Sequence, residues 1–133
     1  MSGQDGAVSL LMLAVGALTV VLAVLTADVG GLLAAHLQAS AAADAAALAA
    51  APVTFRPFGS VESPAGEAAR FAIANGARLV SCRCPVDPSW VRREVEVVVA
   101  VPVELIVFGA AEAQARSLAE FVPTELVGAA ARS

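Results

Sequence analysis

The chain has 133 residues, 59% of them hydrophobic, and a mean hydropathy of +0.79. Eight Arg and no Lys stand against 12 Asp and Glu, a net charge of −4. That balance lacks the basic footprint of a nucleic-acid binder, and the apolar excess lies far above that of an ordinary globular domain.

Residues 1–5 form a polar stub. Residues 6–27, GAVSLLMLAVGALTVVLAVLTA, carry no charge. As a helix they would be about 33 Å long, the thickness of a bilayer's hydrocarbon core. A cleaved signal peptide has a basic start, a shorter apolar core and a small-x-small cleavage site. This chain begins MSGQDG without a basic residue, and its apolar run ends at Ala27-Asp28 without an Ala-x-Ala site. The expectation is an uncleaved membrane anchor, with Asp28 marking the far water interface. The positive-inside rule is almost silent on orientation, because the first cation after the span is Arg56, beyond its window, and a naive count leans toward a cytoplasmic C-terminus.

Gly30-Gly31 is a weak point, costing roughly 1 kcal/mol per Gly relative to Ala, where the helix is expected to kink or melt. A strong helix former follows to residue 51, with ten alanines among residues 39–51. Alanine favours the helix but covers little area, so it permits close backbone approach rather than a bulky core. Small residues recur every fourth position at Ala23, Ala27, Gly31, Ala35, Ala39, Ala43, Ala47 and Ala51. This is the small-xxx-small pattern of packed membrane helices, although a block so rich in alanine meets almost any spacing. Gly31, Ala35, Ala39, Ala43, Asp44 and Ala47 are the helix-packing candidates. Asp44, alone among alanines, is either on a solvated face or a polar partner for an Arg of the following domain.

Pro52 ends the helix. Residues 52–63 read as a linker in which Phe55 and Phe58 are available to touch it. Ser63-Pro64 is a helix start and Asn75-Gly76 a stop, bounding a short helix with Ala68, Phe71, Ala72 and Ile73 as its apolar residues. Residues 77–82 are β-prone. Residues 94–105 alternate, with Val95, Val97, Val99, Val101, Val103 and Leu105 on one face, the period of a half-buried strand. Pro102 predicts an edge or a bulge. Phe108-Gly109 reads as a turn. Residues 111–122 have helical propensity but alternate, and a strand pairing back onto 94–105 is the preferred reading. Residues 123–133 are a frayed tail.

Cys82 and Cys84 are the only cysteines. Two residues apart in a strand, their Cα atoms would lie at about 6.5–7 Å, the upper limit for a disulfide. This spacing favours free or intermolecular thiols over an internal bridge, although an extracytoplasmic location would permit oxidation. His36 is the only histidine and has no second ligand nearby, so a packing or interfacial role is expected rather than metal binding. Asp87, Glu94 and Glu96 beside Arg92-Arg93 read as a solvated face. No nucleophile–base set, P-loop or dinucleotide fingerprint is present. No catalysis, cofactor or metal is expected.

Three stretches together resemble the actinobacterial TadE-like (TadE/TadG-like) proteins, pilin-like membrane proteins of tight-adherence (Tad, Flp pilus) secretion loci. They are the Gly-Ala start of the apolar span, AAHLQASAAADAAALAAAP at 34–52, and ANGARLVSC at 74–82 followed by the valine-rich strand. The resemblance implies a minor pseudopilin or assembly factor in the cell membrane. It also favours the reading of Asp44 as a polar partner. The chain departs from a pilin-type leader. If Gly6 were the cleavage glycine, the fifth residue after it is Leu11 rather than Glu, and no basic residue precedes it.

The expected fold is α+β: a long transmembrane, pilin-like helix over 6–51, then a small domain over 64–122. That domain holds one short helix and a β-hairpin or three-stranded antiparallel sheet. The expected partners are the bilayer and other pilin-like or Tad-system membrane proteins, with homo- or hetero-oligomers formed through the long helix and no nucleic acid. The small domain is expected outside the cytoplasm. The competing reading is a membrane-tethered binding module for an unrelated envelope partner.

Overall fold

The computed structural model describes residues 2–55 and 62–125. Its first element, α1 (Ser2–Val53), is one helix of 52 residues. It begins inside the polar stub and passes through Gly30-Gly31 without a break. Part of the reason is tertiary. A side chain at Gly31 would stand 3.9 Å from Leu105 Cδ2 and 4.0 Å from Val103 Cγ2, so the helix runs close beside other chain at its weakest point. Pro52 lies in the last turn. There Thr54 donates through both N–H and hydroxyl to the Ala51 carbonyl, at 3.3 and 2.6 Å, and closes the end.

The short helix α2 (Pro64–Ala74) starts as its sequence predicts. Ser63 is the N-cap, its Oγ accepting from the Gly66 N–H at 3.0 Å, with Pro64 in the first turn. It ends at Asn75, and Gly76 turns the chain at φ +73°. That angle favours glycine. A Cβ at Gly76 would also fall 2.5 Å from Gln38 Nε2 of α1. Gln38 donates to the Asn75 carbonyl at 3.1 Å, binding the two helices at this turn. Ala68 and Ala72 are buried and Phe71 packs against the core, but Ile73 is exposed. One residue beyond Ala72, Ile73 is rotated about 100° off the buried stripe.

Three strands follow: β1 (Arg78–Arg83), β2 (Arg93–Leu105) and β3 (Gly109–Phe121). They form one antiparallel sheet in the order β1-β2-β3, and β1 carries a bulge between Leu79 and Ser81. Alternation therefore outweighs helix propensity over most of 111–122, because pairing with β2 gives those residues a partner along their whole length. Pro102 sits in the central strand without harm. β1 stops at Arg78, opposite Ala100, so β2 has an open edge at Pro102.

The sheet and α2 both pack on the C-terminal half of α1. The core is built from α1 alanines, Ala68 and Ala72, and the inward Val95, Val97, Val99 and Val101. Val103 and Leu105 of the same face are half-buried. Phe55 closes the end remote from the N-terminus, 1% exposed. Phe58 and residues 126–133 of the tail lie outside the described residues.

Candidate functional site

The small-residue stripe is used within the chain. Ala35, Ala39, Ala43 and Ala47 are buried, and Gly31 is half-buried. With Ala42, Ala46, Ala50 and Ala51 they make a face that lies against α2 and the sheet. Asp44 projects from the edge of this face and is exposed. Its Oδ1 accepts from the Ser117 hydroxyl of β3 at 2.6 Å, so its polar partner is a serine and not an arginine. The N-terminal half of α1 is the opposite case. Between Val8 and Leu25 every large apolar side chain except Val24 is exposed, Leu13 reaching 72%. This helix is long and apolar enough to cross a membrane.

The residue where the two halves meet has a role that its neighbours in sequence do not announce. Asp28 is only 4% exposed. Its two carboxylate oxygens accept from the backbone N–H groups of Ile106 and Val107, at 2.6 and 2.9 Å. A buried carboxylate is tolerated when donors satisfy it, and charge-assisted bonds of this kind are among the stronger ones. The β2–β3 turn is thus fastened to the first charged residue after the uncharged stretch. The available signal was the acid itself, ending an apolar run, but its partners lie 78 and 79 residues away.

The other end is fastened by Arg93, 7% exposed. Its guanidinium donates to the carbonyls of Thr54 (3.2 Å), Val91 (3.1 Å), Asp87 and Ser89. It also stands 5.5 Å from the centre of the Phe55 ring, which packs edge-on against Trp90 at 4.9 Å. A buried cation here binds main-chain oxygens near the C-terminal end of α1, where the helix dipole favours positive charge. Asp87 belongs to the same loop. The Ser89 backbone N–H, donating at 2.8 Å, holds the Asp87 carboxyl below its ordinary value.

Cys82 and Cys84 are joined in a disulfide, with Cα atoms 5.4 Å apart. The spacing is tighter than that of an extended strand because β1 ends at Arg83, which leaves Cys84 free to turn back. Both half-cystines pack on the core.

Outward charges pair across the strands. Glu96 lies between Arg83 (3.4 Å) and Arg116 (3.3 Å), and Arg78 grips both oxygens of Glu112. Arg92 donates to Glu120 at 2.6 Å, which raises the Arg92 pKa. Of the residues expected on a solvated face, Arg92 and Glu94 are exposed, Asp87 and Glu96 are half-buried, and Arg93 is buried. His36 is exposed and lines a shallow groove of about 450 Å³ between α1 and β3, with Val29, Leu32, Leu33, Glu112, Ala113 and Gln114. Among the described residues no three His, Cys, Asp or Glu side chains gather in a metal-ligating group. The arrangement offers apolar surface and a rigid mount for it.

No protein-family model matches this chain, and neither the curated proteins nor the solved structures provide a match.

Proposed function

We propose that this protein is a non-enzymatic, single-pass, pilin-like (TadE-like) subunit or assembly factor of a Tad/Flp-type pilus or secretion system. The observation that carries the reading is the division of α1. One uninterrupted helix is bare and apolar over its N-terminal half and built into a small α+β domain over the other. A membrane supplies the apolar surroundings that the bare half requires. The residue-level resemblance at 34–52 and 74–82 supplies the choice of system. The Cys82–Cys84 disulfide supports an extracytoplasmic domain, since such bonds persist in oxidising compartments.

Deleting the gene tests the role: pilus assembly or secretion fails in the deletion strain, and normal pili there would refute the assignment. Exchanging residues 6–27 for an unrelated apolar span separates the two readings. A pilin-like subunit loses assembly after the exchange. A tethered binding module keeps its function, because its span is only an anchor. Orientation is read by maleimide labelling of Cys82 and Cys84 in intact cells after mild reduction, with a lysed-cell control. Labelling from outside is expected, and labelling only after lysis would place the domain in the cytoplasm.

A further inference from the structure

A hairpin turn in water is normally polar, rich in Gly, Asn and Asp. The β2–β3 turn is Ile106-Val107-Phe108, between paired Leu105 and Gly109, and the three side chains are 70%, 55% and 71% exposed. Gly109, at φ +72°, supplies the left-handed step that returns the chain. Local turn chemistry is thus satisfied by the glycine, and it does not explain three adjacent exposed apolar residues.

Position in the fold does. β2 runs back along α1: Arg93 bonds to the Thr54 carbonyl at one end, and Ile106 and Val107 bond to Asp28 at the other. Twenty-six helix residues at about 1.5 Å span about 39 Å. Thirteen strand residues at about 3.3 Å span about 43 Å. The strand therefore reaches the end of the uncharged stretch and overshoots it slightly. Val24, one turn before Asp28 on the same helix face, is half-buried while the other large apolar residues of the stretch are exposed. The Asp28 carboxylate also takes up two turn N–H groups, which would otherwise be costly to remove from water. Behind the tip, the next charge on β2 is Glu104, which is exposed.

We infer that the Ile106–Val107–Phe108 turn is a second membrane contact, inserted into the interfacial zone of the bilayer that α1 crosses, with Asp28 as the clamp that fixes its depth. The inference rests on the membrane-spanning reading of α1. Two points of contact would hold the small domain at one angle to the membrane, where a single helix would leave it free to swivel and tilt.

The test uses the full chain in phosphatidylcholine vesicles, with Trp90→Phe as the background. Phe108→Trp reports the tip and Leu13→Trp reports the span, both being exposed positions. Lipids brominated near the headgroup or at mid-chain quench the emission of a neighbouring tryptophan. The tip reporter is expected to emit blue-shifted light and to lose most of it to the shallow-brominated lipid, and the span reporter to the deep one. The native Trp90, at the far end of the domain, stays unquenched in the parent chain. If the span reporter is quenched while the tip reporter emits as in water, the tip contact is refuted and the span stands. Quenching of the tip mainly by the deep lipid also overturns interfacial placement. If neither reporter is quenched, the membrane reading fails and the tip contact falls with it.

Discussion

The two halves of α1 share a helix and differ in almost everything else. Residues 6–27 carry Leu, Val and Met around the whole circumference, and none of that surface is covered apart from Val24. Beyond Asp28 the inward residues are the half-buried Gly31 and then alanines buried against a sheet and a second helix. The difference lies in side-chain size. A bulky, uncharged helix presents enough apolar area to be held by lipid. An alanine face presents little area but lets valine strands and the small face of α2 approach its backbone closely. The every-fourth spacing of small residues begins at Ala23 and Ala27, both exposed, and continues into the second half, where it has a partner within the chain. Spacing alone therefore does not say which partner a small-residue stripe has.

The largest expected effect is on the buried alanines. Ala43→Leu or Ala47→Leu forces an isobutyl group into a face with no exposed surface. Each is expected to destabilise the domain by about 1–3 kcal/mol or more. The loss is read by urea unfolding of the detergent-solubilised protein, followed by Trp90 fluorescence. Ala17→Leu and Ala23→Leu, at exposed positions of the other half, should leave that transition unmoved. Equal effects in both halves would break the comparison.

Removing the clamp between the halves comes next. Asp28→Ala strands the N–H groups of Ile106 and Val107, at a cost of about 2 kcal/mol. Faster hydrogen exchange at those two amides is the expected readout, with α2 unaffected. Asp28→Asn keeps one acceptor and should lose roughly half as much.

Gly76→Ala is expected to cost about 1 kcal/mol or somewhat more, through its left-handed angle and the approach of Gln38. Gln38→Ala removes both the approach and the bond to the Asn75 carbonyl, so the further loss in Tm that Gly76→Ala causes on that background measures the backbone contribution.

The smallest effect belongs to the Glu67–Arg70 pair on α2. The hydrogen bond from Arg70 holds the Glu67 carboxyl below its ordinary value of 4.5. A lowered folded-state pKa means that the pair's stabilisation is full above about 4.5 and fades as pH falls through the folded value. Glu67→Gln should therefore slightly lower Tm at pH 7 and leave it unchanged at the acid end of a pH series.

Much of this architecture is legible in the residues because the signals are local. The absence of charge over 6–27, the Ser63-Pro64 start and Asn75-Gly76 stop of α2, and the alternation of Val95 to Val103 each lie within one element. Hydrophobic period, capping and breaker residues act over a few positions, so they can be read without knowing the fold. Even the strand over 111–122 is favoured by its alternation, although propensity points the other way.

Where those elements meet depends on contacts between distant parts of the chain. Asp28 reads as an interface marker and proves to hold a turn 78 residues away. Arg93 reads as surface charge and is buried on carbonyls of two segments. Ile73, one of the apolar residues of α2, is exposed, while the Cys pair closes because the strand stops between them. The alanines declare a close approach but not to what. Each of these outcomes depends on groups far apart in the chain, brought together by packing, and no local rule carries that information.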